Sequence, residues 1–206
     1  MAFGGASGGC SIYQSEVESY MKKIFYHITA LAVLFLLSTS VVLAESVNSS
    51  FNQGFEKHLG GDLLGAVKLY SKAIEKDPAF VMAYQMRGIA QQQLKKYSQA
   101  INDFSMVITF GETSFKSTGY YNRGVLKNMT GDFSGAISDF SQAIQLDKKM
   151  ASAFFHRGIA KSKSGDFFGR MEDFREAARL GDVSATALLN TCYPGWKELP
   201  STSASL

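Results

Sequence analysis

The sequence predicts an all-α protein, an α-solenoid of about four helical hairpins followed by one capping helix. Three observations predict it: a repeat of about 34 residues, recurring Gly-Asp pairs, and an alanine followed four residues later by an aromatic residue. The repeat is marked by glycines separated by 34, 36 and 34 residues, namely Gly54, Gly88, Gly124 and Gly158. Self-similarity at such a period is typical of stacked helical units.

The glycine, alanine and aromatic positions share one physical explanation. Twelve residues after the first three glycines stand Ala66, Ala100 and Ala136, and an aromatic residue follows four positions later in all four units, at Tyr70, Phe104, Phe140 and Phe174. A glycine in the first helix and an alanine in the second allow the two helices of a hairpin to approach closely. The aromatic ring then fills the remaining space, and its burial stabilises the fold by roughly 1.5–3 kcal/mol.

The turns inside the hairpins are marked by Gly61-Asp62, Gly131-Asp132 and Gly165-Asp166. Glycine ends one helix in the left-handed conformation, and aspartate caps the next helix by accepting hydrogen bonds from its free N–H groups. Lys95-Lys96 takes this place in the second unit, so that turn is predicted to be weaker. Pro78 is expected to stop the second helix of the first unit.

This pattern resembles the tetratricopeptide repeat, a helical hairpin with a period of 34 residues. The resemblance covers nearly all of the chain after residue 46, and it implies a right-handed superhelix. It places the repeats at about 47–80, 81–114, 117–150 and 151–182. The helices are expected at 47–59, 63–76, 80–94, 97–109, 116–130, 133–146, 150–164 and 167–180.

The C-terminal part departs from the repeat pattern. Residues 183–191 are predicted to form a capping helix, because a solenoid must cover its last apolar face. Residues 192–206 are expected to be a flexible tail. Its first residue, Cys192, is expected to be unreactive and partly buried beside the end helix, with an intermolecular disulfide as the alternative. Arg170 replaces the alanine of the other units, which suits a terminal hairpin. Two extra residues within 110–119 predict a small protruding loop or a change in superhelical pitch.

A charged pair recurs within the repeats. An arginine precedes the repeat glycine, and an aspartate follows that arginine by 16 residues, in the pairs Arg87 and Asp103, Arg123 and Asp139, and Arg157 and Asp173. The first unit has neither charge, since Gln53 and Leu69 occupy the two places. Because arginine and aspartate are present or absent together, we expect structural salt bridges within or between hairpins. The alternative is a ladder of arginines for an acidic ligand.

The N-terminal segment is predicted to direct export. Lys22 and Lys23 precede a charge-free run over residues 24–44, which ends in small residues before Glu45. A basic start, an apolar core and a small residue at the cut are typical of a signal peptide, with cleavage after Ala44. An uncleaved membrane anchor over 21–44 is the alternative, because the run is long enough to span a bilayer. Residues 1–20 are expected to be disordered and to precede the true start at Met21.

The first helices of the hairpins are predicted to bind a partner. In the family these helices line the concave face, so the resemblance implies a groove there for an extended peptide or a partner helix. The matching positions are Phe51, Phe55, His58, Gln85, Ile89, Gln92, Tyr121, Val125, Asn128, Phe155, Ile159 and Ser162. Phe51, Tyr121 and Phe155 have a second interpretation, since they could pack between repeats instead. The lysine and asparagine set that clamps a terminal carboxylate in some relatives does not occur at these positions.

The sequence contains no recognisable motif of a catalytic or metal-binding site. We expect no enzyme, no cofactor and no metal, because no phosphate-binding loop or catalytic triad is recognisable, and His27, His58, His156, Cys10 and Cys192 lack metal-ligand spacing. The formal net charge of +3, with lysine and arginine spread among acidic residues, also gives no reason to expect nucleic acid.

Together these observations predict a non-enzymatic scaffold or adaptor that binds another protein outside the cytoplasm. The expected place is the periplasm, the secreted fraction, or a membrane to which residues 24–44 tether the repeats. The alternative is a structural protein that associates with itself through the ends of its solenoid.

Overall fold

The computed structural model describes residues 47–197, together with Lys22, Phe25, Tyr26, Ile28, Thr29 and 31–35. The chain divides into two units, Met1–Ser46 and Val47–Leu206. In the first unit the described residues are helical, and Phe25, Tyr26 and Phe35 are exposed. Among all the described helices, none combines the length and the apolar character needed to cross a bilayer. The predicted cleavage after Ala44 and the predicted disorder of residues 1–20 lie outside the described residues.

The second unit consists of helices joined by short turns. The first, α1, is described over residues 47–59. It is followed by α2 (Leu63–Lys76), α3 (Val81–Gln93), α4 (Tyr97–Phe110), α5 (Thr113–Met129), α6 (Phe133–Leu146), α7 (Ala151–Ser164), α8 (Phe167–Arg179) and α9 (Val183–Cys192). From α2 onward each helix packs against the next along the chain, and Gly54 of α1 lies against Tyr70 of α2, so that four hairpins stack as a solenoid. The predicted helix ends agree with these to within one residue, except at the start of α5.

Each hairpin is closed by an aromatic ring that lies over the repeat glycine. A methyl group added at Gly54 would lie 2.9 Å from the ring of Tyr70, and one at Gly158 would lie 2.7 Å from the ring of Phe174. Tyr70, Phe104 and Phe140 are fully buried, as are the second-helix alanines at 66, 100 and 136. The glycine therefore makes room for the aromatic ring of its own hairpin, not only for the backbone of the partner helix.

The predicted glycine–aspartate turns are present in the first, third and fourth hairpins. Gly61, Gly131 and Gly165 have φ values of 81°, 88° and 87°. Asp62 accepts a hydrogen bond from the backbone N–H of Gly65 at 2.9 Å, and Asp132 and Asp166 cap α6 and α8 in the same way. These side chains satisfy N–H groups that have no partner inside the helix.

The turn of the second hairpin reaches the same conformation with less suitable residues. Lys95 has a φ of 58°, the one positive value among the described residues other than glycine. Lys96 is the N-cap of α4, and its side chain makes no capping hydrogen bond. A residue with a Cβ atom is strained in the left-handed region. The weaker turn predicted from the sequence therefore has a structural basis.

The connections that follow α2 and α6 have the same turn geometry. After α2, the carboxylate of Asp77 accepts a hydrogen bond from the N–H of Ala79 at 3.0 Å, on either side of Pro78. After α6, Asp147 makes the same bond to Lys149 at 2.9 Å, with Lys148 in the place of the proline. The proline is therefore not needed for this turn, and its absence after α6 leaves the geometry unchanged.

The predicted protruding loop between the second and third hairpins is wrong. Only Gly111 and Glu112 separate α4 from α5, and α5 begins at Thr113, three residues earlier than expected. The extra residues lengthen α5 at its start, where Gly119 lies against Ile108 and Val107 of α4. Helix extension satisfies the backbone hydrogen bonds of the inserted residues, which a loop would leave to water.

The expectation of a flexible tail from residue 192 is wrong for its first residues. Tyr193 and Trp196 pack with Phe174 and Leu189 in one apolar cluster, and Trp196 is only 8% exposed. The indole N–H of Trp196 donates to the side-chain oxygen of Asn190 at 2.9 Å. The solenoid therefore ends in a cap formed by α9 and residues 193–197. Burial of an aromatic side chain is more favourable than its exposure to water, which explains why these residues pack on the last hairpin. Residues 198–206 lie outside the described part.

Two single residues near this cap also differ in role from what the sequence suggested. Arg170 donates hydrogen bonds to the hydroxyl oxygens of Ser162 at 3.1 Å and Tyr193 at 2.9 Å, so it fastens the cap to the last hairpin. Cys192, the last residue of α9, is exposed and not partly buried as expected.

Candidate binding surface on the inner face

The first helices of the hairpins form one side of the stack. Besides packing within and between hairpins, α3 touches α5 and α5 touches α7. First helices that converge in this way lie on the inner side of a curved stack. The residues predicted to bind a partner are therefore placed on this inner face, in three rows that each run across α1, α3, α5 and α7.

An apolar row follows the repeat glycines, and it contains Phe55, Ile89, Val125 and Ile159. Ile89, Val125 and Ile159 each pack against the apolar cluster of a hairpin and are only partly buried. Phe55 has 39% of its surface exposed. The row therefore supports the core from one side and presents apolar surface on the other.

A second row is mainly aromatic and is largely used for packing. Its members are Phe51, Gln85, Tyr121 and Phe155. Each aromatic member lies against the aromatic ring of its own hairpin, with ring centroids 5.6 Å apart for Phe51 and Tyr70, 6.0 Å for Tyr121 and Phe140, and 5.7 Å for Phe155 and Phe174. Such distances are those of favourable aromatic pairs. Of the two interpretations left open by the sequence, these contacts favour packing, and Gln85 is the polar exception in the row.

A third row contains neutral polar side chains: His58, Gln92, Asn128 and Ser162. The two outer members have partners. His58 lies 3.1 Å from the side-chain oxygen of Gln93, and the hydroxyl of Ser162 accepts from Arg170. The two central members, Gln92 and Asn128, are half-buried, and their amide groups make no hydrogen bond within the described part of the chain. The same is true of Gln85.

The three rows together carry no aspartate, glutamate, lysine or arginine. Elsewhere these residues are common, since 19% of the chain is charged. A face of twelve positions without a formal charge therefore differs from the rest of the surface. It offers apolar area and uncommitted amide groups.

His156 forms a cluster that the sequence did not indicate. Its ring stacks on Phe140 at 5.9 Å and meets the edges of Tyr121 and Phe155 at 5.7 Å each. This burial lowers the pKa of His156 below its ordinary value, although the nearby Asp182 acts in the opposite direction. The histidine is thus a neutral part of the packing between the third and fourth hairpins.

The three predicted arginine–aspartate pairs are formed. Arg87 donates from Nε and Nη2 to the two carboxylate oxygens of Asp103 at 2.9 and 2.7 Å. Arg123 and Asp139, and Arg157 and Asp173, make the same two bonds. The hydrogen bonds that Arg123 donates to Asp139 raise the pKa of Arg123 above its ordinary value. A planar guanidinium that holds a carboxylate by two parallel bonds is the geometry expected for arginine.

The sequence did not indicate a third partner of each pair. The Nη1 group of Arg87 donates to the hydroxyl of Ser71 in the preceding hairpin at 2.9 Å, and Arg123 and Arg157 reach Ser105 and Ser141 in the same manner. A serine directly after the repeat aromatic is the signal that could have revealed it. Each arginine therefore joins its own hairpin to the one before it, which leaves no arginine ladder for an acidic ligand.

A lysine completes two of these networks but not the third. Lys127 and Lys161 lie 2.9 Å from a carboxylate oxygen of Asp139 and Asp173. Gln91 holds the equivalent place in the second hairpin, where it is 7% exposed and its Oε1 atom has no hydrogen-bond partner. A buried acceptor without a donor is unfavourable. Of the three polar networks, the one in the second hairpin thus has the least complete hydrogen bonding.

Comparison with known proteins supports the repeat assignment. A family model described as tetratricopeptide repeat matches residues 69–102. The crystal structure of MamA superposes with a TM-score of 0.66 at 23% identity, covering 74% of this chain and 83% of MamA. Residues 69–102 thus match a tetratricopeptide repeat, and the stacked hairpins have the fold of a tetratricopeptide solenoid.

Two further solved structures show how widely this fold is shared. The first tetratricopeptide domain of Spaghetti (RPAP3), bound to an HSP90 peptide, matches with a TM-score of 0.55 and 17% identity, over 59% of this chain and 94% of the domain. The second such domain of human RPAP3, in complex with an HSP70 peptide, matches with a TM-score of 0.54 and 21% identity, over 58% and 98%. No characterised protein sequence gives a significant match.

The tetratricopeptide repeats described here contain no cluster of three or more histidine, cysteine, aspartate or glutamate side chains that could hold a metal ion. Their buried aspartates are committed to the arginine networks. The inner face carries recognition groups that are not used within the described chain, and its residues offer hydrogen bonds and apolar contact.

Proposed function

We propose that this tetratricopeptide-repeat protein is a non-enzymatic scaffold that holds a segment of another protein along its inner face. The observation that carries the proposal is the uncharged inner face, where the half-buried residues Gln85, Gln92 and Asn128 have amide groups without a hydrogen-bond partner in the described structure. Groups of this kind lose hydrogen bonds to water when they are covered, so a ligand must supply replacements. A segment of polypeptide supplies both donors and acceptors.

The comparison with other tetratricopeptide domains supports the same role. The two RPAP3 domains hold peptides that end in Glu-Glu-Val-Asp. On the inner face of the present chain no lysine or arginine occupies any of the twelve positions. The proposed partner segment therefore differs in charge from those peptides, although it occupies the same kind of groove.

Photocrosslinking from single positions tests this role. A photoreactive amino acid replaces Gln92 on the inner face in one variant and Gln142, which is exposed on α6, in a matched control. In cells of the source organism, adducts with one defined partner are expected from position 92 and not from position 142. Equal labelling from the two positions, or no adduct from position 92, would contradict binding at the inner face.

The proposal includes a place of action outside the cytoplasm. Lysines before an apolar run, with small residues before Glu45, support export by a signal peptide or retention as an anchor. N-terminal sequencing of the protein from its source distinguishes these outcomes. A chain that begins at Glu45 indicates cleavage, and an uncleaved chain in the membrane fraction indicates an anchor. An uncleaved chain in the soluble cytoplasm would contradict the proposal.

A further inference from the structure

The tip of the fourth hairpin exposes two adjacent aromatic side chains. Phe167 and Phe168 begin α8, and 59% and 94% of their surfaces are exposed. We propose that this tip is a membrane-contact site, where the two rings insert between the headgroups of an anionic lipid bilayer and neighbouring lysines contact the lipid phosphates. The site lies on a second helix and not on the inner face, so it goes beyond the proposed function.

The exposure of Phe168 is not required by the fold. The second position of the second helix is exposed in every hairpin, where it is occupied by Leu64, Ser98, Ser134 and Phe168. Since α4 and α6 form with serine at this position, no apolar side chain is needed there. Exposure of a phenylalanine ring to water is unfavourable, and an apolar patch of this kind indicates a surface that another phase or molecule covers.

The basic groups around the two rings favour an anionic surface. Lys163 lies four residues before Phe167, across the turn, and is exposed with no ion-pair partner among the described residues. The guanidinium of Arg170 lies 4.7 Å from the centre of the Phe167 ring and donates a hydrogen bond to the hydroxyl of Tyr193. This bond fastens to the tip the cap segment that contains the exposed Lys197. Three cations therefore border the rings.

The acidic groups of the tip do not cancel this charge. The carboxylate of Asp166 accepts a hydrogen bond from the N–H of Gly169 at 2.8 Å and caps α8. Glu172 is exposed and lies one turn beyond Phe168, whereas Asp173 is buried in its ion-pair network. Three cations against two exposed carboxylates leave the tip positive, which suits anionic headgroups.

The size of the patch disfavours a second copy of this chain or another folded protein as the occupant. A phenylalanine side chain offers about 150–250 Å², so the exposed fractions of Phe167 and Phe168 amount to roughly 200–400 Å². A stable protein interface covers about 800 Å² on each partner. Rings that project from a tip offer no cleft for a rigid surface to fill, whereas a bilayer deforms around them.

Fluorescence from a single labelled cysteine tests the site in the full chain. Cys10 and Cys192 are replaced by serine, and a nitrobenzoxadiazole dye, which brightens in apolar surroundings, is attached to Phe168→Cys. The matched control carries the dye on Ser134→Cys, at the equivalent exposed position of the third hairpin. With phosphatidylglycerol vesicles, the dye is expected to brighten at position 168 and not at position 134. Phosphatidylcholine vesicles, or about 500 mM salt, should greatly reduce the response.

A pair of substitutions tests the role of the lysines. In the chain labelled at position 168, Lys163→Gln combined with Lys197→Gln is expected to reduce the brightening about tenfold at lipid concentrations below saturation. Lys148→Gln, at an exposed position before α7, is the control and should leave the response unchanged. Circular dichroism confirms that each variant is folded.

Four results would overturn the proposal. The first three are equal brightening at positions 168 and 134, equal brightening with phosphatidylglycerol and phosphatidylcholine vesicles, and no brightening with either lipid. The fourth is brightening at position 168 that appears without vesicles and increases with protein concentration, which would identify a second copy of the chain as the occupant. Crosslinking from position 92 is independent of all four, so the proposed function can fail or hold separately.

Discussion

The turn of the second hairpin allows a direct test of the local physics of this repeat. Lys95 has a φ of 58°, whereas Gly61, Gly131 and Gly165 fill the equivalent place in the other hairpins. A residue with a Cβ atom loses roughly 1–2 kcal/mol in this left-handed conformation. Glycine removes that strain, but its more flexible unfolded chain offsets about 0.5–1 kcal/mol of the gain. Lys95→Gly should therefore stabilise the fold by about 0.5–1 kcal/mol.

Urea denaturation followed by circular dichroism at 222 nm measures this change. Lys95→Ala is the matched control, since it removes the same charge but keeps the Cβ atom, and it should have little effect on the free energy of unfolding. The reverse change is Gly131→Ala, where nothing lies within 4 Å of the added methyl group and only the φ of 88° opposes it. It should destabilise the fold by about the same amount that Lys95→Gly gains. Equal stability of the glycine and alanine variants at position 95 would refute the reasoning.

Three further predictions concern stability and use the same assay. Lys148→Pro should stabilise the fold by about 0.4–1 kcal/mol, because Pro78 occupies the same turn geometry and restricts the unfolded chain; a loss of stability would contradict this. Gln91→Lys should stabilise by about 1 kcal/mol by supplying a cation to Asp103 and removing an unpaired acceptor; an unchanged midpoint would contradict it. Burial lowers the pKa of His156 below 6.5, so the stability it provides is complete above pH 6.5 and is lost as the pH falls through the folded-state pKa. His156→Phe should therefore reduce the fall in stability on acidification, and an unchanged pH profile would contradict this.

The sequence predicted those features that depend on local geometry. Glycine spacing identified the hairpins, because only a missing side chain admits the ring of Tyr70 or Phe174. The helix ends followed from turn and capping residues such as Asp62 and Asp132. The pairing of Arg87 with Asp103 followed from their joint presence within each repeat.

Other features depend on contacts between distant residues, which spacing alone does not reveal. Ser71 and its equivalents bond to arginines of the following hairpin, and a serine has many alternative partners in sequence. Trp196 follows a helix-ending segment rich in turn residues, so its burial against Phe174 is visible only in three dimensions. The early start of α5 at Thr113 reflects packing of Gly119 on α4, which overrides the repeat register.

The resemblance to the repeat family located the inner face in the sequence. Only the side-chain contacts of the structure show which of its residues pack within the fold and which have no partner there. Phe51, Tyr121 and Phe155 are equally plausible as ligand contacts or packing residues in sequence, and their ring contacts favour packing. Gln92 and Asn128 are ordinary polar residues in sequence. In the structure both residues are half-buried on the inner face, and their amides have no hydrogen-bond partner among the described residues.

The central claim is that a segment of another protein occupies the inner face. The most direct measurement repeats the photocrosslinking from position 92 after Asn128→Lys, which places a charge on the neighbouring helix α5 of that face, with Gln142→Lys on α6 as the control. If the segment lies on the inner face, Asn128→Lys should reduce the yield of the adduct from position 92, because covering an unpaired charge is unfavourable, and Gln142→Lys should leave the yield unchanged. An equal yield from the two variants would contradict the claim.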